Sequence, residues 1–234
     1  MDVACLRPRF ASAIVLGLSG ATFAGCALFG PTTAMSFVRQ IEQSPDPNLR
    51  YKAYQNLASP RCYDDDGQKT KAVHAMLARL DPEKEPPATR IVICRTLGAI
   101  GDPAARPALI RLVRDPDPLL RGEACRALGK VGVSQDATIL MQAMMLDTDP
   151  NCQVAAIEGL GDLRSKDPRR VSTLVKALEH EDPAIRYASV QSLRKITGKD
   201  LGVEVGPWKA LVAEAEKTAD PATAKAAATA PSKK

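Results

Sequence analysis

The sequence predicts an all-α protein, a right-handed α–α solenoid of about five helical hairpins closed by a short C-terminal capping helix. The first observation behind this prediction is a repeat, because five segments align without gaps, at 46–59, 86–99, 117–130, 149–162 and 182–195. The second is that small or apolar residues recur in each segment at the spacing of one helix face. Helical units that repeat along a chain and share a core with their neighbours form solenoids.

Residues 1–25 have the order of an export signal, with Arg7 and Arg9, then an apolar stretch, then small residues before Cys26. The ending FAGC resembles a bacterial lipobox, in which a diacylglycerol is attached to the cysteine thiol. This resemblance implies lipidation of Cys26, a linker at 26–32 and a chain anchored to a membrane of the bacterial cell envelope. By resemblance to the sorting of enterobacterial lipoproteins, Ala27 rather than Asp after the cysteine implies the outer membrane, with the protein facing the periplasm.

Two alternatives stay open for the leader. The stretch from Phe10 to Gly30 is uncharged and long enough to span a membrane as an uncleaved anchor, although four glycines interrupt it. A cleaved, soluble export product is the other alternative.

Each aligned segment is predicted to be the second helix of its hairpin. Asp46, Asp117, Asp149 and Asp182 stand at N-cap positions, where a carboxylate accepts hydrogen bonds from the first turn. Proline follows at the first helical position, where its missing N–H costs nothing. A leucine recurs on the buried face, at positions 57, 97, 128, 160 and 193. Each of the leucines at 97, 128 and 160 is followed directly by a glycine, which permits a left-handed turn or a close approach of helices.

The first helices are predicted upstream, at about 33–44, 68–80, 103–114, 136–146 and 168–180, so the solenoid covers 33–197. The pattern resembles HEAT-like repeats of the short bacterial variety noticed in phycobilin lyases, and DPLLRGEACRALGKVG at 117–132 matches it well. The resemblance implies the solenoid and a binding role but no reaction, since most such proteins lack lyase activity. Repeat two departs from the pattern, because it lacks the capping Asp and has a longer charged loop, LDPEKEPP.

The chain leaves the repeat after residue 197. A cap is predicted at 198–217, with a short helix from Pro207 that places Trp208 over the last repeat; a ligand-binding tryptophan is the alternative. Residues 218–234 contain no aromatic or large aliphatic residue, and this composition predicts a disordered tail.

Composition and motifs argue against several functions. Only 4% of the residues are aromatic, which argues against a sugar-binding cleft and a stacking platform for nucleic acid. The net charge of +5 is not concentrated in any basic run, so no nucleic-acid partner is predicted. No phosphate loop, nucleophile elbow or zinc-ligand spacing occurs, and DDDG at 64–67 indicates helix capping rather than calcium binding. We therefore predict no catalytic residue, no metal, no cofactor and no small-molecule substrate.

The cysteines and one arginine row have structural and functional interpretations. Cys94, Cys125 and Cys152 fall on core rows, whereas Cys62 lies in a loop and could be bridged in an exported protein, with Cys94 as the first partner to test. Arginines recur at positions 50, 90, 121 and 186. They could bind phosphates, or form a structural ladder to Asp or Glu of adjoining repeats, which their common register favours.

A partner-binding face is predicted on the second helices. The position after the arginine row holds Tyr51, Ile91 and Tyr187, and the position five after it holds Arg95 and Arg126. Apolar residues beside polar anchors are typical of protein-binding grooves, so these five residues are expected to bind a protein. The alternative is that the apolar row packs against neighbouring repeats.

These observations favour a membrane-anchored, non-enzymatic HEAT-repeat scaffold that mediates protein–protein interaction in the cell envelope. The alternative is an accessory or lyase-type HEAT protein that acts on a cofactor-bearing partner. A lyase of the phycobilin type needs a cytoplasmic chain, so the leader argues against it. The leader and the weak charge also oppose a DNA-binding HEAT protein.

Overall fold

The computed structural model describes residues 33–164 and 167–219. Within these ranges the chain forms eleven α-helices and three short 3₁₀ turns, with no β-strand, which confirms the predicted all-α solenoid. The leader, Cys26, the linker at 26–32 and the tail from residue 220 lie outside the described residues. No helix in the described part of the chain is long and apolar enough to cross a membrane.

Ten of the helices pair into five hairpins. The first helices are α1 (Ala34–Gln43), α3 (Asp66–Leu77), α5 (Arg106–Leu112), α7 (Ala137–Leu146) and α9 (Pro168–Ala177). The second helices are α2 (Pro47–Leu57), α4 (Pro87–Ile100), α6 (Pro118–Val131), α8 (Pro150–Leu163) and α10 (Pro183–Thr197). The final helix, α11, covers Val205–Ala219 and therefore includes the first two residues of the predicted tail.

The predicted capping residues begin the second helices. Asp46, Asp117, Asp149 and Asp182 each accept a hydrogen bond from the backbone N–H two residues later, at 2.7–2.9 Å. Asp65 also caps its helix, α3, but its Oδ1 accepts from the backbone N–H three residues later, that of Gln68, at 2.8 Å. The DDDG loop is thus a helix cap, as expected.

One apolar core runs through all five hairpins. The recurrent leucine of each second helix is at most 2% exposed, in every repeat from Leu57 to Leu193. The first helices contribute residues such as Leu109 and Leu174, both fully buried. Trp208 of α11 is also fully buried and donates from Nε1 to the carbonyl of Gly202 at 3.0 Å, while α11 packs against α9.

The second helices approach one another backbone to backbone at glycines. A Cβ atom added to Gly129 would lie 2.4 Å from the Cα of Gly159, and one added to Gly98 would lie 2.8 Å from the Cα of Ala127. The left-handed turns occur instead at Gly101 and Gly198, which follow the helices with φ of 75° and 70°. Close approach is therefore the role of the glycine that follows the buried leucine.

Replacing Gly129 by Ala is expected to lower the free energy of unfolding by about 1–3 kcal/mol, although Ala favours helix, because α6 and α8 must separate. The matched control is Gly122→Ala in the same helix, where the added Cβ meets its nearest atom at 3.7 Å. This control should be neutral or stabilising by up to about 1 kcal/mol. Urea melts of both variants test the close approach, and equal effects would contradict it.

The arginine row forms the structural ladder. Arg121 holds Asp147 of the next repeat through Nε and Nη2, both at 2.8 Å, and donates from Nη1 to the carbonyls of Asp115 and Pro116 in its own loop. Arg90 binds Asp115 of the next repeat at 2.8 Å. Both guanidinium groups are paired with carboxylates of the protein, which favours the ladder over a phosphate site.

The first arginine of the ladder uses the charged loop of repeat two. Arg50 donates from Nε and Nη2 to Glu85 at 2.6 and 3.1 Å, and Tyr54 donates its hydroxyl to the same carboxylate at 3.0 Å. In repeat four Gln153 replaces the arginine and donates to the carbonyl of Asp147 at 2.7 Å. In repeat five, the position equivalent to Asp115 and Asp147 holds His180, so that repeat offers Gln153 no carboxylate there.

We expect the ladder to weaken in acid. The hydrogen bonds from Arg121 hold the pKa of Asp147 below its usual range, despite its burial. Because the folded-state pKa is lowered, the stabilisation is complete above the ordinary Asp value of about 3.9 and is lost as the pH falls through the folded-state pKa. Urea melts should show the stability difference between the wild type and Asp147→Asn shrinking below about pH 4. A difference that is independent of pH would contradict this expectation.

Candidate partner-binding face

The exposed side of α2, α4, α6, α8 and α10, here called the second-helix face, contains the five residues predicted to bind a partner. Tyr51 and Ile91 are half-buried and pack against the core, whereas Tyr187 is 66% exposed. Arg95 is exposed and Arg126 is half-buried. The five residues therefore share one side of the stack, with the apolar row partly covered by neighbouring repeats.

Burial of the apolar row follows from the stacking order. Gly122, which occupies this row in α6, is buried close to Ala155 and Cys152 of the next second helix. Tyr187 occupies the same row on α10, beside which no further second helix lies within the described residues. Its exposure therefore results from its place in the last described hairpin.

Ion pairs connect the second helices across this face. Arg95 donates to Glu123 of α6 at 3.0 and 3.3 Å, and Arg126 donates to Glu158 of α8 at 2.7 Å. Glu123 also accepts from Arg126 at 3.5 Å, so four charged groups form a continuous chain over three helices. These exposed pairs contribute little to stability, and their charges can pair again with those of a bound protein.

The other charged side chains of the second-helix face include more lysines than carboxylates. Lys52 and Lys130 are exposed and have no ion-pair partner among the residues described, while Lys195 pairs with Asp162 at 2.7 Å. The acidic residues Glu123 and Glu158 are both paired. The face therefore suits a protein partner with an acidic surface.

The four cysteines in the described part of the chain are buried thiols. Cys94, Cys125 and Cys152 are at most 1% exposed, and burial raises their pKa values to about 12, 12 and 11. Cys62 is buried and donates from Sγ to the carbonyl of Ser59 at 3.0 Å. Cys62 and Cys94 are both unoxidised here, so the bridge considered between them is not formed. In the part of the chain that is described, no three His, Cys, Asp or Glu side chains are grouped to hold a metal.

The sequence analysis assigned Arg95 and Arg126 to the binding face but did not assign the glutamates that pair with them. Glu158 belongs to the same row as Arg95 and Arg126, so an acidic residue one repeat after Arg126 was the available signal. Glu123 belongs to a different row, and only the packing of α6 beside α4 brings it to Arg95.

Comparisons with known proteins identify a family and several relatives of this chain. Residues 73–149 and 138–229 match a family model described as HEAT repeats. The uncharacterized phycocyanin operon protein Z of Pseudanabaena tenuis is 25% identical in an alignment of length 178, which covers 73% of this chain and 81% of that protein. Phycocyanobilin lyase subunit alpha of Picosynechococcus sp. is 27% identical in an alignment of length 176, which covers 68% of this chain and 63% of the lyase subunit.

Two solved structures have the same fold. One chain in the structure of the complex of CpcE and CpcF of phycocyanin lyase from Nostoc sp. superposes with a TM-score of 0.58 at 21% identity. The superposition covers 89% of this chain and 79% of that chain. An engineered protein superposes with a TM-score of 0.52 at 17% identity, covering 82% of this chain and 92% of that chain. At these identities the likeness concerns the fold.

The lyase relative corrects two expectations. The prediction that the chain is not an enzyme is wrong, because a protein similar to it over 176 residues is a subunit of a lyase. The expectation that the chain has no small-molecule substrate is wrong for the same reason.

Proposed function

Because this chain belongs to the HEAT repeat family, we propose that it is a lyase-type HEAT subunit that acts, together with a protein partner, on a protein that carries a bilin-type cofactor. The observation that carries this proposal is the similarity to phycocyanobilin lyase subunit alpha over 176 residues. The related phycocyanin lyase from Nostoc is described as a complex of two chains, which supports a second subunit here.

The second-helix face supports a role in holding the protein substrate. It combines an exposed aromatic side chain, Tyr187, with the chain of ion pairs that runs from Arg95 to Glu158. It also contains Lys52 and Lys130, which have no ion-pair partner among the described residues. The buried thiols stay protonated near neutral pH, since their pKa values are raised to about 11–12. In this proposal the chain's described residues bind and orient the protein partner, which presents its cofactor site to the assembly.

The test compares cofactor loading of the partner in cells with and without this chain. The partner is first identified by crosslinking to the full chain in wild-type cells. It is then purified from each strain, and its covalently bound bilin is measured by zinc-induced fluorescence. We expect bilin content to fall at least about tenfold in the deletion strain and with Arg95→Gln/Arg126→Gln, a loss that corresponds to about 1.4 kcal/mol. Lys176→Gln on α9 is the control, because this exposed lysine lies on a first helix. Unchanged bilin content in the deletion strain would overturn the proposal.

We also propose that the chain is lipid-anchored in the bacterial envelope, through Cys26. This proposal is supported by the order of Arg7, Arg9, the apolar stretch and FAGC. If the chain is anchored on the outer membrane, the bilin-bearing protein must itself be exported, because only an exported protein can contact the anchored chain.

Replacing Cys26 by Ser is expected to abolish incorporation of radiolabelled palmitate and to leave a slower-migrating, uncleaved precursor. The reason is that the acyl chains are attached through this thiol, and cleavage follows attachment. Cys62→Ser is the control, because that thiol lies within the solenoid. Retained label with unchanged mobility in Cys26→Ser would contradict lipidation.

A further inference from the structure

Helix α7 lacks the charged outer side that the other first helices have. Its ten residues include no Asp, Glu, Lys or Arg, whereas each of the other first helices contains at least two. The side that faces the core buries Ala137, Leu140 and Met144. Met145 and Leu146 are 64% and 76% exposed. A helix that is apolar on all sides is normally covered on all sides, so the outer side of α7 is suited to contact with another molecule.

A further exposed leucine lies at the same edge of the stack. Leu119, in the first turn of α6, is 64% exposed. Two residues later, Arg121 forms an ion pair at 2.8 Å with Asp147, which directly follows Leu146. The ion pair therefore holds this edge of repeats three and four together. Of the seven large apolar side chains that are exposed within the described residues, three belong to this edge, which indicates a patch rather than scattered exposure.

A groove of about 550 Å³ lies between the end of α5 and α7. Its apolar lining includes Val113, Ile139, Ala143 and Leu146, and these four residues with Arg114 are here called the α5–α7 groove. Ile139, Ala143 and Leu146 are spaced i, i+4 and i+7, so they form a ridge along one side of α7. Such a ridge packs into the groove on the surface of a second helix.

The apolar lining is specific to these repeats. In the groove between α1 and α3, the helix α3 contributes Lys71 and His74. In the groove between α3 and α5, the helix α5 contributes Arg111. The residues that α7 contributes to the α5–α7 groove are all uncharged. The repeat architecture by itself therefore does not account for the apolar character of this groove.

The free charge beside the α5–α7 groove is positive. Arg114 lines the groove and Arg111 precedes it by three residues; both are exposed, and neither has an ion-pair partner among the residues described. The carboxylate of Asp147, which also lines the groove, is already paired with Arg121. The groove is thus complementary to an apolar surface that is bordered by carboxylates.

We propose that the α5–α7 groove binds an amphipathic helix of another protein, with apolar side chains against α7 and carboxylates beside Arg111 and Arg114. A helix pairs its own backbone groups, whereas an extended segment would place unpaired N–H and C=O groups against the apolar lining. No strand edge exists in the described ranges to pair them. Val113 is only 6% exposed in the lining, which favours an inserted helix over a flat lipid surface. This inference is independent of the proposed function, because it rests on the shape and charge of the groove alone.

The first test measures the binding of two synthetic amphipathic helices, each of about 18 residues, to the full chain by fluorescence anisotropy. Both peptides have leucines on one face, and the flanking positions are glutamates in one peptide and lysines in the other. The glutamate peptide should bind at least about tenfold more tightly, and Leu146→Ser should weaken its binding at least about tenfold. Val203→Ser is the control, because Val203 is 68% exposed but lies before α11. Absence of binding, or equal effects of the two substitutions, would overturn the proposal.

The second test reverses the charge at the groove. Arg114→Glu should reverse the preference between the two peptides, because the lysine peptide then gains the ion pair. Arg39→Glu on α1 changes the net charge equally and should leave the preference unchanged, since Arg39 is exposed on a different first helix. Equal effects of the two variants would refute a specific site.

Two further measurements address other occupants of the same surface. Sedimentation velocity compares the wild type with Leu146→Ser, and pelleting with vesicles of phosphatidylcholine and phosphatidylglycerol compares the same two chains. We expect the substitution to change neither result. If Leu146→Ser dissociates a dimer, the surface is a contact between copies of this chain. If it abolishes vesicle binding while neither peptide binds, the surface contacts lipid. Either result would show that the docked helix is wrong.

Discussion

Replacing Arg50 by Met is expected to lower the free energy of unfolding by about 3–5 kcal/mol, the usual effect of removing one member of a buried ion pair. The side chain of Glu85 is fully buried, and its carboxylate accepts from Arg50 at 2.6 Å. Without that cation, the carboxylate keeps the hydroxyl of Tyr54, while the nearest remaining guanidinium nitrogen, on Arg79, is 4.0 Å away. Urea melts at neutral pH measure the loss.

The matched control is Arg95→Met. Arg95 pairs with Glu123, but its side chain is 62% exposed, so the loss should stay below about 1 kcal/mol. Adding Glu85→Gln to Arg50→Met should recover part of the lost stability, because the buried charge is removed with its partner. If Arg50→Met costs no more than Arg95→Met, the ladder does not stabilise the first repeat.

Replacing Leu128 by Ala is expected to cost about 2–5 kcal/mol, through lost burial and the cavity that remains. Leu128 is fully buried in the middle repeat and belongs to the leucine row shared by all five hairpins. Because helices pack on both sides of Leu128, the structure cannot relax far into the cavity, and the loss of stability should be large.

Leu119→Ala is the control for this variant. Leu119 lies on the same helix but is 64% exposed, so its truncation should change the stability by less than about 0.5 kcal/mol. The two variants remove the same atoms and differ in burial. A cost under about 1 kcal/mol for Leu128→Ala in urea melts would show that the predicted register of the core is wrong.

Much of the candidate partner-binding face followed from counting positions within the repeat. The alignment placed Arg95 and Arg126 in one exposed row and left Tyr51, Ile91 and Tyr187 in another. It could not separate Tyr187, which is 66% exposed, from Tyr51, which is half-buried, because both occupy the same position of the repeat. Their difference depends on whether another second helix follows.

The sequence by itself determined the repeating helices, their Asp-Pro starts and the buried leucine row, because caps and helical periodicity act over a few residues of one chain segment. Only the tertiary structure decided which carboxylate completes each arginine, since Glu85 and Asp147 reach their partners from the next repeat. It also decided that Gly129 meets Gly159, for which the sequence shows a glycine but not the opposing backbone. Contacts between repeats depend on how each hairpin packs on the one before it, and residues far apart in the chain decide that packing.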